Sequence, residues 1–306
     1  MSRCLCCGRP VEGDQTYHPN CLKELFGRPR PPSIPFGLVD LPAQVRKTGA
    51  RMSISGVQMK LSIRVDPESW ELTTVAEGGT HILKPEPPQF PELPQNENLC
   101  MNIAEVLKMS VPPHGLFAMA DESLCYIVKR FDRLEDGTKI QKETIYQILN
   151  ATEKYAGSLE RVGKTIRAHV ANVGLDAIDF LERVLLSFVT GNGDMHLKNW
   201  ALLIGEEGAV ALAPCYDLVS SRIYLPDEEE TALTINGKKN NLSRVDFEVL
   251  ATSLRIDPLA AANSFQKLNT AREQVSRMCV ESQLSAELQQ ELLKVITSRY
   301  DQLVRS

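Results

Sequence analysis

No uninterrupted apolar run in this chain approaches the roughly 18 residues a membrane-spanning helix needs, so no membrane partner is expected. The opening Met1-Ser2-Arg3-Cys4 lacks the hydrophobic core of a signal peptide, and a cytoplasmic location is expected. Thiols stay reduced there, which excludes a disulfide frame and leaves the eight cysteines as metal ligands or core residues. An excess of positive charge is also missing. The net charge is −5, which argues against a nucleic-acid-coating protein, and no direct nucleic-acid binding is expected. There is no internal repeat and no low-complexity tract. What remains is an ordinary globular composition, 43% hydrophobic and 24% charged over 306 residues. That suffices for one large two-lobed domain or two smaller ones.

The most informative stretch is Gly191-Asn192-Gly193-Asp194-Met195-His196-Leu197-Lys198-Asn199-Trp200. An apolar helical run, Phe180 to Val189, leads into it, and two glycines break the helix. Asp194-x-x-x-x-Asn199 has the spacing of a kinase catalytic loop. There an Asp receives the substrate hydroxyl proton and an Asn holds magnesium. Downstream, Ala201–Ile204 and Ala209–Ala213 flank Gly205-Glu206-Glu207-Gly208, a hairpin pattern that ends in Cys215-Tyr216-Asp217. Such a hairpin returns a second Asp to the site, so Asp217 is expected to be a metal ligand. Taken alone it would be a turn residue.

The first 27 residues hold Cys4, Cys6, Cys7 and Cys21. Cys4-x-x-Cys7 and His18-x-x-Cys21 form two close pairs, the ligand types and spacing of a structural zinc ribbon. Metal-free packing is the alternative, and Cys6 could replace either neighbour. Pro29, Pro31, Pro32 and Pro35 then predict an extended linker over residues 28–50. Ser53-Ile54-Ser55-Gly56 precedes a strand pattern, as a loop over phosphates would. A G-x-G-x-x-G loop is absent, so the ordinary protein-kinase signature fails there. Ser69–Thr73 and Thr80–Pro85 read as a hairpin-like pair. Lys84 ends the second strand, where a kinase lysine reaches the α- and β-phosphates, although a strand-end lysine is commonly just solvated. Glu97 or Glu105 could pair with it. Asn96 is expected to cap a helix over about residues 99–108, with Glu97 in its first turn. Val111–Ala118 and Leu124–Phe131 read as paired strands, followed by a hinge and then by helices. Ser158 and Asp179 are expected as caps.

These parts, in this order, resemble the HipA family of bacterial serine/threonine kinases, most of all its short HipT-type toxins. The matching motifs are Ser53-Ile54-Ser55-Gly56-Val57-Gln58-x-Lys60-Leu61, Ile82-Leu83-Lys84-Pro85, Phe90-Pro91-x-Leu93-x-x-Asn96-Glu97, Arg130-Phe131-Asp132-Arg133, Gly191 to Asn199, and Ala213-Pro214-x-Tyr216-Asp217. The resemblance implies an α+β, two-lobed protein-kinase-like fold that uses ATP and Mg2+. Its expected layout is a Cys-rich segment over 1–27, a linker over 28–50, a β-rich N-lobe over 51–133 and a helical C-lobe over 134–306. It implies that Asp194 is the catalytic base and Lys84 the phosphate-binding lysine, with His196 and Lys198 near the transferred phosphate. Asn199 and Asp217 become magnesium ligands. Lys129 to Phe131 become the adenine hinge, and Asp132 reaches the ribose. Ser53 or Ser55 becomes an autophosphorylation site that silences the kinase by drawing its loop, including Gly56, away from the nucleotide. A phosphate there adds nearly two charges and three strong acceptors.

The same resemblance implies a HipBST-like toxin–antitoxin system and an aminoacyl-tRNA synthetase as protein substrate. The partners implied are a small antitoxin resembling the N-terminal subdomain of longer members, which this chain is too short to carry, and a DNA-binding antitoxin. Zinc at Cys4, Cys7, His18 and Cys21 lies outside what the family requires. Two other classes compete. One is a small-molecule phosphotransferase, which also uses a Gly-Asp loop followed by Asn. The other is a non-catalytic kinase-like binding module, against which Lys84, Asp194, Asn199 and Asp217 are all present.

Overall fold

The structure is a computed structural model that describes residues 2–48, 58–134, 136–205 and 207–304. It divides into two units. The first comprises Met1–Asn102, Pro112–Lys139 and Ser282–Leu284, and the second Ile103–Val111, Ile140–Glu281 and Ser285–Ser306. No described helix is long and apolar enough to cross a membrane.

The first unit is built on period-two alternation. In β1 (Leu61–Val65), Leu61 and Ile63 are buried and Arg64 is exposed. β1 pairs antiparallel with both β2 (Leu72–Thr74) and β3 (His81–Pro85). β3 in turn pairs with β5 (Leu124–Lys129), which pairs with β4 (His114–Ala118). The order is β2-β1-β3-β5-β4, so β3 is central. The hairpin expected between Ser69–Thr73 and Thr80–Pro85 is therefore not formed, since both segments pair with β1 instead. One sheet face buries Leu61, Ile63, Leu83 and Ile127 against Leu22 and Leu25 of α1 (Pro19–Phe26).

Residues 28–48 are not an extended tether. Ile34, Phe36 and Leu41 join the same core, a 3-10 turn spans Leu38–Asp40, and α2 follows at Leu41–Thr48. Leu72 N–H donates to Ser33 O at 2.8 Å, fastening the stretch to the sheet edge. The prolines prevent regular pairing along the segment, but they leave its apolar side chains free to bury.

α3 runs Leu93–Val106, earlier than expected, so Asn96 is buried inside the helix and caps nothing. Pro94 falls in its first turn, where a missing N–H costs nothing.

In the second unit β6 (Gln141–Thr144), β7 (Ala201–Ile204) and β8 (Val210–Leu212) form an antiparallel sheet, with the expected hairpin between the last two. α4 (Ile145–Ile148) precedes α5 (Leu159–His169), which Ser158 caps by accepting from Arg161 N–H at 3.2 Å. α6 (Val173–Val189) carries Phe180, Leu181, Val184, Leu185 and Phe188 buried at helical spacing. It starts at Val173, so Asp179 is no cap. It lies one turn before Arg183 and accepts from Arg183 Nε at 3.0 Å. α8 (Pro258–Val280) packs on α6 and on α9 (Ala286–Val304), and α7 (Arg244–Ser253) completes the helical layer.

Candidate active site

The catalytic-loop candidate begins where α6 ends. Thr190 Oγ1 donates back to Leu186 O at 2.9 Å, and Asn192 N–H donates to Ser187 O at 2.8 Å. Gly191 sits at φ 67°, and a Cβ there would lie 2.6 Å from Val295 Cγ1 and 2.9 Å from Arg222 Cβ. Glycine is required by the backbone conformation and by the space. A Cβ at Gly193 would meet the Glu228 carboxylate at 2.5 Å.

The loop then closes on itself. His196 N–H donates to Asp194 O at 2.7 Å, and Asn199 N–H donates to His196 O at 2.9 Å. The Asn199 side-chain amide donates to Asp194 O at 3.1 Å. Asn199 therefore fixes the backbone of Asp194, and its Oδ1 is the atom of that amide chemically suited to a cation. The Asp194 carboxylate is 45% exposed. Tyr155 donates its phenol hydroxyl to Asp194 Oδ1, and Lys154 Nζ stands 4.0 Å from the same oxygen. A hydroxyl can thus reach this carboxylate in hydrogen-bonding geometry, as a base that deprotonates an alcohol requires.

His196 is buried, its Nε2 3.9 Å from Asp194 Oδ1. Its Nδ1 has no hydrogen-bond partner among the described residues. Burial pulls its pKa down, with Lys154 adding to the effect, while Asp194 and Asp217 oppose it. The imidazole is therefore neutral at pH 7. Asp217 follows the β7–β8 hairpin at φ 54°, a left-handed conformation that costs about 1–2 kcal/mol in a residue with a Cβ. Arg183, buried, donates to Ala213 O and supports the chain leading there. Tyr216 donates to Lys198 O at 2.9 Å. Lys198 Nζ lies over the Tyr146 ring at 4.6 Å from its centroid. The second unit thus gathers Asp194, His196 and Asn199 in one loop. Asp217 lies within electrostatic reach of His196. The carboxylate of Asp217 and the amide oxygen of Asn199 are the hard donors that magnesium takes.

In the first unit Lys84 sits on central β3, opposite Tyr126 of β5. Its side chain is buried, and Nζ is 2.5 Å from Glu97 Oε1. Glu97 is on α3 and equally buried, whereas Glu105 is exposed and plays no such part. Lys129 N–H donates to Pro113 O, and Arg130 N–H to Thr80 O, both at 2.8 Å. These two amides are committed to backbone carbonyls and are not free for a ligand. Asp132 accepts two bonds from Arg130, at 2.9 and 2.8 Å, and lies 3.2 Å from Arg133. A ribose contact from Asp132 would compete with both arginines. Ser53, Ser55 and Gly56 lie outside the described residues.

Sequence reasoning missed Tyr155, Lys154 and Glu228. Glu228 accepts from Ser221 Oγ at 2.6 Å, and Ser221 Oγ accepts from Gly193 N–H at 2.8 Å. Burial, helped by the charge of Asp194, pushes the Glu228 carboxyl up to about 7. Only the glycine at 193 hinted that something packs against the loop there. At the other end of the chain, Cys4, Cys7, His18 and Cys21 offer ligand atoms all within 4.8 Å of one another.

Residues 52–282 match the family described as the HipA-like C-terminal domain. A Sinorhizobium fredii protein named "Putative kinase Y4dM" is 32% identical over 293 residues, covering 88% of this chain and 66% of that protein. The serine/threonine-protein kinase toxin HipA of Shewanella oneidensis is 28% identical over 232 residues, covering 69% of this chain and 52% of that protein. The chain spans about half to two thirds of the length of the curated relatives it matches. Among solved structures, the toxin–antitoxin complex of HipA, HipB and operator DNA from Shewanella oneidensis MR-1 aligns with a TM-score of 0.70 at 19% identity. The alignment covers 89% of this chain and 72% of that one. The fold is therefore the α+β, protein-kinase-like one expected from the sequence.

Proposed function

The chain belongs to the HipA-like C-terminal domain family, and on that membership we propose that it is an ATP-dependent serine/threonine protein kinase. The observation that carries the proposal is the closed Asp194–Asn199 loop, in which a carboxylate already accepts a hydroxyl proton donor. In this reaction Asp194 takes the proton of the acceptor serine or threonine as its oxygen bonds to the γ-phosphorus of ATP, and ADP leaves. Lys84, oriented by Glu97, holds the α- and β-phosphates. Asn199 and Asp217 would hold magnesium, which when bound neutralises charge on the phosphates. Neutral His196 lines the loop without adding charge. Lys198, now over Tyr146, lies in the same loop and would turn toward the transferred phosphate.

The finer reading is a HipT-type toxin. In it, Ser53 or Ser55 is autophosphorylated and silences the site. The substrate is a translation enzyme such as an aminoacyl-tRNA synthetase. A small antitoxin and a DNA-binding antitoxin are its partners, and the cytoplasm is its location. Support comes from the Ser-Ile-Ser motif and from a relative solved in complex with HipB and operator DNA.

Phosphoproteomics after brief expression of the wild type and of Asp194→Ala tests the proposal. New phosphoserine or phosphothreonine sites should appear with the wild type only. The same sites with Asp194→Ala would overturn the assignment of the base. Transfer of labelled phosphate to small alcohols and not to lysate proteins would favour a small-molecule phosphotransferase.

A further inference from the structure

We propose that Cys4, Cys7, His18 and Cys21 form a structural zinc site, and that the loaded segment braces α3 beside Glu97. The four side chains come from two loops that the fold brings together. The first is a knuckle, in which Cys4 N–H donates to Arg9 O and Gly8 N–H donates back to Cys4 O, each at 2.9 Å. Gly8 turns the chain at φ 68°. The second loop is the entry to α1, where Pro19 at the first helical position places His18 just before the helix and Cys21 in its first turn.

The chemistry of the donors is specific. Three thiols and one imidazole within 4.8 Å of one another match a tetrahedral shell of three sulfurs and one nitrogen, whose ligand atoms stand about 3.8 Å apart for Zn–S bonds of roughly 2.3 Å. Cys7 Sγ already lies 3.3 Å from His18 Nδ1. His18 Nε2 lies 2.9 Å from Pro10 O, a carbonyl that can only accept. The ring proton is therefore on Nε2, and the lone pair of Nδ1 faces the thiols. A metal-binding histidine is characteristically oriented by such an outer partner. Arg9 Nε donates to Cys7 Sγ at 3.3 Å. Four protein ligands close the shell, so the site is structural and not catalytic.

Cys6, the spare cysteine of the sequence, is not one of these four, although its thiol neighbours that of Cys4. It is buried, and its sulfur packs against Gly115 of β4 so closely that a Cβ there would be 2.5 Å away. The knuckle uses its backbone on the other side. Leu5 O accepts from Leu116 N–H at 2.9 Å and from Asn98 Nδ2 at 3.2 Å, and Cys6 O accepts from Asn102 Nδ2 at 2.9 Å. Asn98 and Asn102 are one turn apart on α3, and Asn98 adjoins Glu97. Tyr17 stacks on Phe117 at 5.1 Å and donates to Leu116 O, tying the second loop to the same strand. A metal that fixes the two loops therefore fixes the carbonyls that hold α3.

The metal claim stands whether or not the chain transfers phosphate. Zinc measured by mass spectrometry on the purified full-length chain should be about one per molecule, and Cys6→Ala should keep it. Cys7→Ser and Cys21→Ser should lose most of it. A folded wild type without zinc after growth in zinc-supplemented medium would overturn the site. So would loss of zinc in Cys6→Ala alone. Because the serine variants could fail to fold, cobalt substitution of the wild type gives an independent reading. Thiolate-to-cobalt charge-transfer bands with tetrahedral d–d bands are expected, and their absence would overturn the ligand set. Hydrogen exchange at residues 98–102 should quicken when a chelator removes the metal. Unchanged exchange there would overturn the bracing.

Discussion

Replacing Glu97 by Gln removes one charge from the Lys84–Glu97 pair and almost no volume. The two side chains are 4% and 2% exposed, with Nζ and Oε1 2.5 Å apart. At an effective dielectric constant near 20, two unit charges at that distance attract with about 7 kcal/mol gross. Most of this offsets the desolvation of two ions. Removing one partner of a buried pair such as this costs about 3–5 kcal/mol. Against a total stability of roughly 5–15 kcal/mol, the variant should lose a fifth or more of its margin. With a urea slope of about 2 kcal/mol/M, the midpoint should fall by about 2 M. Lys84→Met should cost a similar amount. The double variant Lys84→Met/Glu97→Gln should be more stable than the sum of the two single losses implies, because it removes both charges of the pair. Urea unfolding followed by circular dichroism measures all four proteins. A cost below about 1 kcal/mol for Glu97→Gln is the signature of a solvated surface pair and would refute the reasoning. So would simple additivity in the double variant.

Gly191→Ala should destabilise by about 2–4 kcal/mol, combining left-handed strain with the clash against Val295 and Arg222. It should also lower phosphate transfer, and a melting temperature equal to the wild type would show that the close approach does not exist. Glu228 predicts a pH effect. Its folded carboxyl titrates near 7, above the ordinary 4.5, so the folded state holds a proton that the unfolded state has released between those values. Its contribution to stability is therefore complete below about pH 4.5 and falls as pH rises through 7. The raw shift corresponds to about 3 kcal/mol, and solvent screening at this half-buried group reduces it to about 1–2 kcal/mol. Glu228→Gln should lack this fall, gaining that much on the wild type between pH 5 and pH 8 in urea midpoints. Identical pH slopes for the two proteins would count against it.

The loop and the hairpin beside it were readable in the sequence where local spacing carries geometry. Asp194 to Asn199 is six residues, and a loop that short must fold back on itself. The β7–β8 hairpin was equally plain, because glycines bracket its turn. Lys84 was the harder case. Nothing local distinguishes a buried strand lysine from a solvated one, and its burial follows from β3 being central in a five-stranded sheet. Sheet order is a non-local property, which also explains why the pairing of β2 with β1 was missed. Helix starts failed for a different reason. Pro94 and Asn172 each stand at a helix beginning, but apolar residues further along drew the expected boundary inward. Tyr155 and Glu228 reach the Asp194–Asn199 loop from 39 and 34 positions away, so no motif contains them together with Asp194.

The distribution of sulfur has a practical consequence for labelling. Cys100, Cys125, Cys215 and Cys279 are all buried. Burial raises the thiols of Cys125, Cys215 and Cys279, Cys215 to about 11 and Cys279 to about 12. Thiolate is the form that reacts with maleimides and iodoacetamides, so these positions stay silent in the native protein. A dye added under native conditions would report on the N-terminal segment alone. The same reagent after chelation, and again after unfolding, would divide the eight sulfurs into separate classes without a single substitution.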